Sequence, residues 1–476
     1  MSKRFIQFTD WIAHLYPEFV AEDTNGILTP KKDRILSRTF TFQVTDACNL
    51  ACKYCYQINK KTRKLSFETA KLAVDKLLSG EDGFRDYINP QISPAIVLEF
   101  IGGEPFLEID LIDQIVDYFR LRTIELNHPW AERFCISICS NGILYTDPKV
   151  QKFLQKNAKV LSFSVTVDGT KELHDSCRVF PDGSPSYDLA HSAAMDWMSR
   201  GYYMGSKITI APGNVTYVAD SLKAMVEDGY HEINANCVYE EGWTEEHAKI
   251  LYDQCKDFTD WFLERDDCDQ YAISLLDDLF GMPLSTEYLD NWCGGVGQML
   301  SVDPDGYLYP CIRYMESSLG DQRPPLRIGN VWDGICSKQC EKDCLACMNA
   351  VDRRTQSTDA CFYCPIAKGC SWCSAYNYQV NGTVDKRVTY ICVMHKARVL
   401  ALNYFWNKYH EKKQDGKVFD LWVPRAWAVP IIGEEEYNFL SARTKRLGGY
   451  VNENAIKVQY SGDKEIPNPE DVTALE

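Results

Sequence analysis

TFQVTDACNLACKYCYQ, residues 41–57, joins an alternating apolar run (Phe40, Phe42, Val44) to a loop in which Cys48, Cys52 and Cys55 form a C-x3-C-x2-C array. Strict alternation of this kind reads as a β-strand, so the three cysteines fall just beyond a strand's C-terminal end. A [4Fe–4S] cluster held by cysteine normally takes four protein thiolates. Three leave one iron open to a ligand from outside the chain. A zinc loop is the plainer alternative, but zinc sites usually draw four ligands from two paired halves, and motifs elsewhere in the chain point away from it.

Working outward, strand-like and helix-like segments alternate from residue 38 to about 240. Strands are expected at 39–45, 95–101, 133–139, 160–167, 206–211 and 232–238. Helices are expected at 66–79 (capped by Ser66), 108–126, 147–156, 185–200 and 215–228. Such alternation predicts βα units around a parallel sheet, and six of them make an α/β fold of the partial (β/α)6 TIM-type barrel class. In such barrels chemistry gathers at the C-terminal strand ends. Gly102-Gly103-Glu104-Pro105 follows the second strand, Ser140-Asn141-Gly142 the third and Asp168-Gly169 the fourth. Two glycines after a buried strand let backbone approach a ligand closely, and the Glu104 carboxylate can accept hydrogen bonds from an ammonium.

Residues 1–37 form an N-terminal extension with a short amphipathic start, and 241–292 a helical connector. From Cys293 to Cys392 the composition changes: eleven cysteines lie among Gly, Pro and aromatics. That predicts a small domain (293–395) organised by metal instead of an apolar core. Segments 80–94 and 316–358 read as loop insertions. Residues 396–476 read as a helix and a tail with an aromatic pair, Trp422 and Trp427. If that pair contributes to peptide binding, deleting 415–476 weakens peptide binding more than cleavage of the cofactor, and equal loss of both contradicts it.

With 476 residues and 45% apolar content the chain can bury a large core. Twenty cysteines without an N-terminal apolar signal segment fit thiolates committed to metal in a reducing cytoplasm. A net charge of −16 argues against non-specific nucleic-acid or anionic-lipid binding, and no apolar run reaches the length of a membrane span.

The C-x3-C-x2-C array with Tyr54 before its third cysteine, followed by Gly102-Gly103-Glu104-Pro105, resembles the radical S-adenosylmethionine (SAM) superfamily. There the methionine amine and carboxylate of SAM chelate the fourth iron, and the glycine-rich motif contacts the amine. Residues 164–178 resemble the S-x-D-G…H-D-x-x-R stretch of the peptide- and protein-modifying subgroup. The resemblance implies a ribose contact for Thr166 and a carboxylate contact for Arg178. Tyr54, Gly102, Gly103, Glu104, Ser140, Asn141, Thr166 and Arg178 are therefore the candidate SAM-binding residues; Cys177 is assigned no role.

Cys293-x12-Gly306-x4-Cys311, then Cys361-x2-Cys364-x5-Cys370-x2-Cys373 and Cys392, closely resembles the SPASM domain, which houses two auxiliary [4Fe–4S] clusters. Its usual last spacing is x3, where this chain has x2. Position by position, Cys361, Cys364, Cys370 and Cys392 would hold the outer cluster, and Cys293, Cys311 and Cys373 the nearer. The nearer set has only three members. Either its fourth iron is open to a substrate thiolate, or one of Cys336, Cys340, Cys344 and Cys347 closes it; the last two could also hold a separate zinc. Cys135, Cys139, Cys237, Cys255 and Cys268 are expected to be packed thiols.

The resemblance is closest to the peptide maturases of sactipeptide and ranthipeptide systems. It implies a radical SAM oxidoreductase with three [4Fe–4S] clusters that installs thioethers in a cysteine-containing, ribosomally made precursor peptide. Flavodoxin or ferredoxin would donate electrons, and a separate protein could recognise the leader. Other readings are carbon–carbon or carbon–oxygen crosslinking, formylglycine formation in a sulfatase, and a non-catalytic iron–sulfur electron carrier. The formylglycine reading expects an Asp where this chain has Ile312. The electron carrier leaves the glycine-rich motif and residues 164–178 unexplained.

Overall fold

The computed structural model describes residues 11–22, 28–30, 36–240, 242–289, 293–295, 299–419 and 423–446. A short hairpin, β1 (Val20–Glu22) and β2 (Leu28–Pro30), precedes the main body. Four parallel strands then stand side by side: β3 (Ser37–Thr45), β4 (Ala95–Gly102), β5 (Phe134–Ser140) and β6 (Leu161–Val165). On β3 the pleat separates two chemistries. Phe40, Phe42 and Val44 are fully buried, while Thr41, Gln43 and Thr45 are equally buried but polar. The Thr41 hydroxyl donates to Glu99 on β4 at 2.7 Å, and Gln43 Nε2 donates to Asp46 at 2.5 Å. A buried polar row of this kind is tolerated because its members bond one another.

Connecting helices cover the apolar face: α1 (Phe67–Ser79), α2 (Ile109–Glu125), α3 (Pro148–Asn157) and α4 (Tyr187–Ser199). Ser66 caps α1 through the Thr69 amide at 3.0 Å, as its sequence position implies. Asp147 caps α3 in the same way, with Pro148 in the first turn.

The barrel's last two predicted strands, β7 (Ser206–Ile210) and β8 (Glu232–Cys237), also form, with α5 (Val218–Glu227) between them. They pair with each other and with the two-residue β9 (Ala272–Ile273) in a second, three-stranded sheet. The parallel arrangement is therefore divided between β6 and β7. Side chains bridge the gap: Asp168 Oδ1 accepts from the Thr209 amide at 3.3 Å, and Met204 Sδ lies 3.2 Å from the Val165 amide. Gly169 (φ +88°) turns the chain here, and a Cβ at that position would stand 2.2 Å from the Ser221 Cβ on α5.

At the other edge the cysteine-rich segment extends the first sheet. β10 (Met299–Val302) pairs parallel with β3, and β11 (Tyr307–Tyr309), β12 (Gly329–Asn330) and β13 (Gly334–Ile335) continue it antiparallel, making eight strands. The two segments read as loop insertions contain more order than that. Residues 80–94 carry a one-turn helix, Phe84–Tyr87, with both aromatics buried. Residues 316–358 carry β12, β13 and an eleven-residue helix, α7 (Gln339–Asn349).

The connector helix α6 (Glu245–Leu263) packs on α8 (Cys392–Lys413) and on α9 (Arg425–Arg446), which breaks at Gly433. Tyr252 and Lys256 of α6 both reach Glu436 of α9, at 2.7 and 2.6 Å. The expected aromatic tail is thus partly a structural helix. Trp427 is half-buried beneath Lys396 at 4.3 Å; Trp422 and residues 447–476 lie outside the described residues. Among the described residues no helix is long and apolar enough to cross a membrane.

Replacing Gly169 with Ala should lower stability by about 2–5 kcal/mol, combining left-handed backbone strain with overpacking. A thermal midpoint indistinguishable from the parent's would contradict the packing described for this turn.

Candidate functional site

The cluster loop is held by backbone bonds on two sides. The Ala51 amide donates to Val179 at 2.7 Å and the Lys53 amide to Cys177 at 2.9 Å; the Gly103 amide donates to Thr45 at 3.0 Å and the Glu104 amide to Ala47 at 2.9 Å. These bonds bring residues 48–55, 102–104 and 177–179 together. The closeness requires the glycine: a Cβ on Gly103 would stand 2.3 Å from the Ala47 oxygen and 2.7 Å from the Cys48 Cβ. Burial pushes the Cys48 and Cys52 thiols up, and the Arg178 charge opposes the shift at Cys52.

Glu104 is 1% exposed and ends β4's rim as a clamp. Its Oε1 accepts from the Ser140 hydroxyl at 2.7 Å and the Phe106 amide at 3.1 Å, and its Oε2 from the Asn141 amide at 2.8 Å. Asn141 Nδ2 continues to Asn49 Oδ1 at 2.6 Å. Ser140 and Asn141 therefore orient Glu104 and connect it to the cluster loop. Burial raises the Glu104 pKa, and these three donors oppose it.

A second network runs through Arg178. Its Nη1 donates to the Tyr54 hydroxyl at 3.0 Å, and that hydroxyl donates to Asp168 Oδ2. Burial works against the Arg178 charge, yet Tyr54, Cys52 and Asp168 raise its pKa above the ordinary arginine value. Among the described residues its buried Nε has no hydrogen-bond partner. An unpaired guanidinium N–H in such a place is costly and fits an anionic ligand at the rim. His174 holds the Asp168 backbone in place: Nδ1 accepts from the Asp168 amide at 3.3 Å, and Nε2 meets the Ser186 hydroxyl at 3.0 Å. Burial, then Arg178, holds His174 down at about 3, so it is neutral.

Thr166 lies on the same rim, its amide bonded to the Ser140 carbonyl at 3.0 Å. Its hydroxyl lies 3.4 Å from Cys139 Sγ, and Cys139 is exposed. This corrects the expectation of a packed thiol there: alternation along β5 turns Cys139 away from the helices. Cys135, Cys255 and Cys268 are buried and Cys237 is half-buried. Asp168 and His174 were missed as site residues. The D-G…H spacing of residues 168–174 was the available signal.

Cys293, Cys311 and Cys373 form a second group. Burial raises the Cys311 thiol, and its strongest sulfur couplings run to Cys293 and Cys373. A Cβ on Gly295 would lie 3.4 Å from Cys293 Sγ and 3.7 Å from Cys311 Sγ. Arg313 stacks on Tyr56 at 5.2 Å and Tyr376 at 5.9 Å and lies 3.6 Å from Glu240. Tyr56 directly follows Cys55, so this stack stands between the first and second groups.

Cys361, Cys364, Cys370 and Cys392 all line one cavity of about 820 Å³, together with Arg387 and Lys396. Cys340, Cys344 and Cys347 lie on α7, with Cys336 just before it, and Cys344 packs against the same small apolar cluster as Cys293, Cys311 and Cys373. Among the described residues no three His, Cys, Asp or Glu side chains close to the spacing of a single-ion site. A cubane spreads its thiolates over a larger cage than tetrahedral zinc does.

Residues 37–178 match a family model described as a 4Fe-4S single cluster domain. The chain is 33% identical over 189 residues to a serine-type anaerobic sulfatase-maturating enzyme of Bacteroides thetaiotaomicron, covering 39% of this chain and 42% of that one. It is 29% identical over 192 residues to an uncharacterized protein of Methanocaldococcus jannaschii, covering 40% of this chain and 59% of that one. The chain thus spans about half the length of these relatives. A solved structure of anSMEcpe, an anaerobic sulfatase-maturating enzyme with bound AdoMet, superposes with a TM-score of 0.57 at 16% identity, covering 85% of this chain and 99% of that one. The fold is that of the SPASM-type radical SAM enzymes, with a partial barrel at its core.

Tyr54→Phe should weaken SAM binding about tenfold or more, because it removes a hydrogen bond to a charged partner. Equilibrium dialysis of the anaerobically reconstituted protein measures this, and unchanged affinity would contradict the role given to the Tyr54–Arg178 pair.

Proposed function

We propose that this chain is a radical SAM peptide maturase that joins a cysteine sulfur of a ribosomally made precursor peptide to a carbon of another residue as a thioether. The observation that carries this reading is the three-membered set Cys293, Cys311 and Cys373. A cluster held by these three would leave a coordination position where a soft peptide thiolate can bind, near the Arg313–Tyr56 stack.

The residues fit the cofactors this requires. Cys48, Cys52 and Cys55 would hold the SAM-binding cluster; Cys361, Cys364, Cys370 and Cys392 the outer auxiliary cluster; and the three-membered set the nearer one. Gly102 and Gly103 let backbone approach the methionine end of SAM. Glu104, oriented by Ser140 and Asn141, accepts from its amine. Arg178, with one N–H unspent, meets its carboxylate through planar donors. Thr166 stands at the ribose position. Reductive cleavage of SAM supplies the hydrogen-abstracting radical, the hard step that belongs to the cofactors. The protein's part would be to hold the peptide between the SAM site and the three-membered set. Each thioether then removes two hydrogens: one taken from carbon, and the thiol proton released with one electron. A flavodoxin- or ferredoxin-like donor in the cytoplasm would supply the reducing electron, and leader recognition would fall to a separate protein or to the barrel itself.

The likeness to sulfatase-maturating enzymes favours a second reading, formylglycine formation. Against it, the residue after Cys311 is Ile312, which cannot accept a proton.

Incubating the reconstituted protein with SAM, dithionite and a cysteine-containing precursor peptide should give a product lighter by two hydrogens whose cysteine resists alkylation. The same mass loss with a freely alkylated cysteine would contradict the thioether and favour carbon–carbon or carbon–oxygen crosslinking. Conversion of a sulfatase peptide's Ser or Cys to an aldehyde would favour the second reading.

A further inference from the structure

Each of the three thiol sets has a guanidinium of its own. Arg178 acts on Cys52 and belongs to the SAM rim. Arg313 is the favourable charge at Cys373, and its backbone amide bonds the Cys311 sulfur. Arg387 makes the most direct contact: Nη2 donates to Cys370 Sγ at 2.9 Å and to the Cys370 carbonyl at 3.1 Å. Two further bonds fix its place, from Nη2 to the Ser371 carbonyl at 3.4 Å and from its amide to Gln356 at 3.1 Å. All four outer cysteines lie within reach of its charge.

The two auxiliary arginines differ in their counter-charges. Glu240 stands 3.6 Å from Arg313 and partly offsets it. Among the described residues no carboxylate pairs with Arg387, and Lys396 adds a second cation facing Cys392.

We propose that Arg387 and Arg313 set the reduction potentials of the two auxiliary clusters, and that Arg387, through its hydrogen bond to Cys370 Sγ, makes the outer one the easier to reduce. This rests on the cluster content proposed above. One-electron reduction adds a negative charge to a cage already made anionic by its thiolates. A neighbouring cation and an N–H···S bond stabilise that reduced state more than the oxidised one, which raises the potential. Once a peptide thiolate completes the nearer set, both cages carry four thiolates; because the offset falls on Arg313, an electron released near the nearer cluster then runs downhill to the outer one. Neither arginine touches the peptide in this account; both act through the cluster they adjoin.

The test uses the full chain with Cys48, Cys52 and Cys55 replaced by Ala, which leaves only the auxiliary clusters, reconstituted anaerobically and titrated with dithionite under electron paramagnetic resonance. About eight irons per chain are expected, with two signals reduced in sequence. Arg387→Gln should shift one signal to lower potential and leave the other in place; Arg313→Gln should shift only the other. Unshifted potentials in Arg387→Gln with the iron retained would overturn the inference. Should that variant fail to load iron, Arg387→Lys gives the answer, a lowered potential supporting the inference and an unchanged one overturning it. An iron content well below eight before any arginine is changed would instead overturn the cluster content on which the inference rests.

Discussion

A buried guanidinium is what the barrel rim is arranged around. Arg178 follows a short helix after β6, yet it reaches back to Tyr54 in the cluster loop, which follows β3. Tyr54 in turn bonds Asp168, and Asp168 accepts from Thr209 on β7 across the break in the sheet. One charge thus ties the loop of the first strand to the turn after the fourth and the latter part of the fifth. Removing it would take away the Tyr54 hydroxyl's donor and the positive charge that offsets the buried Asp168 carboxylate, and an uncompensated buried charge is costly.

The same constraint, buried charge that must be met, organises the cysteine-rich region differently. Apolar packing there is modest: Tyr309, Tyr314, Met315, Leu319 and a few others make a small cluster beside the main core. Cys293, Cys311 and Cys373 pack against it and Cys364 against the main core, and all seven thiols of the two sets are partly exposed. Thiolates left bare so close together would repel, and burial already pushes Cys364 and Cys373 up. Metal would convert that repulsion into a staple, in the manner of small domains whose ligands contribute folding energy directly. The guanidinium groups of Arg313 and Arg387 fit the same need. The eight-stranded sheet makes residues 299–335 of this region continuous with the barrel.

Much of this was legible in the amino-acid sequence because local patterns and tertiary fate agree. The period-two run at Phe40–Val44 and the capped helix after Ser66 form as their residues dictate. The division between β6 and β7 was not legible, since strand propensity says nothing about which strand becomes a neighbour. Helix α7 was missed because its sequence, QCEKDCLACMN, lacks an apolar stripe; only Glu341 and Met348 are buried on it. At the site, Glu104 and Arg178 could be found from motif spacing. The D-G…H spacing marks Asp168 and His174, but their supporting roles depend on a long-range meeting with Tyr54, Ser186 and Thr209 that the spacing does not specify. Cys139 was misjudged because one-residue alternation decides whether a strand thiol faces helices or the barrel mouth.

The central claim is an auxiliary cluster with an iron open to the peptide's sulfur. The most direct test is the electron paramagnetic resonance spectrum of the reduced, fully reconstituted protein before and after adding a cysteine-containing precursor peptide, with a Cys→Ala peptide as control. About twelve irons per chain and a spectral change that requires the peptide thiol are the predicted result. Twelve irons with identical spectra for both peptides would contradict the claim, because a cluster with four protein ligands has no place for the thiolate.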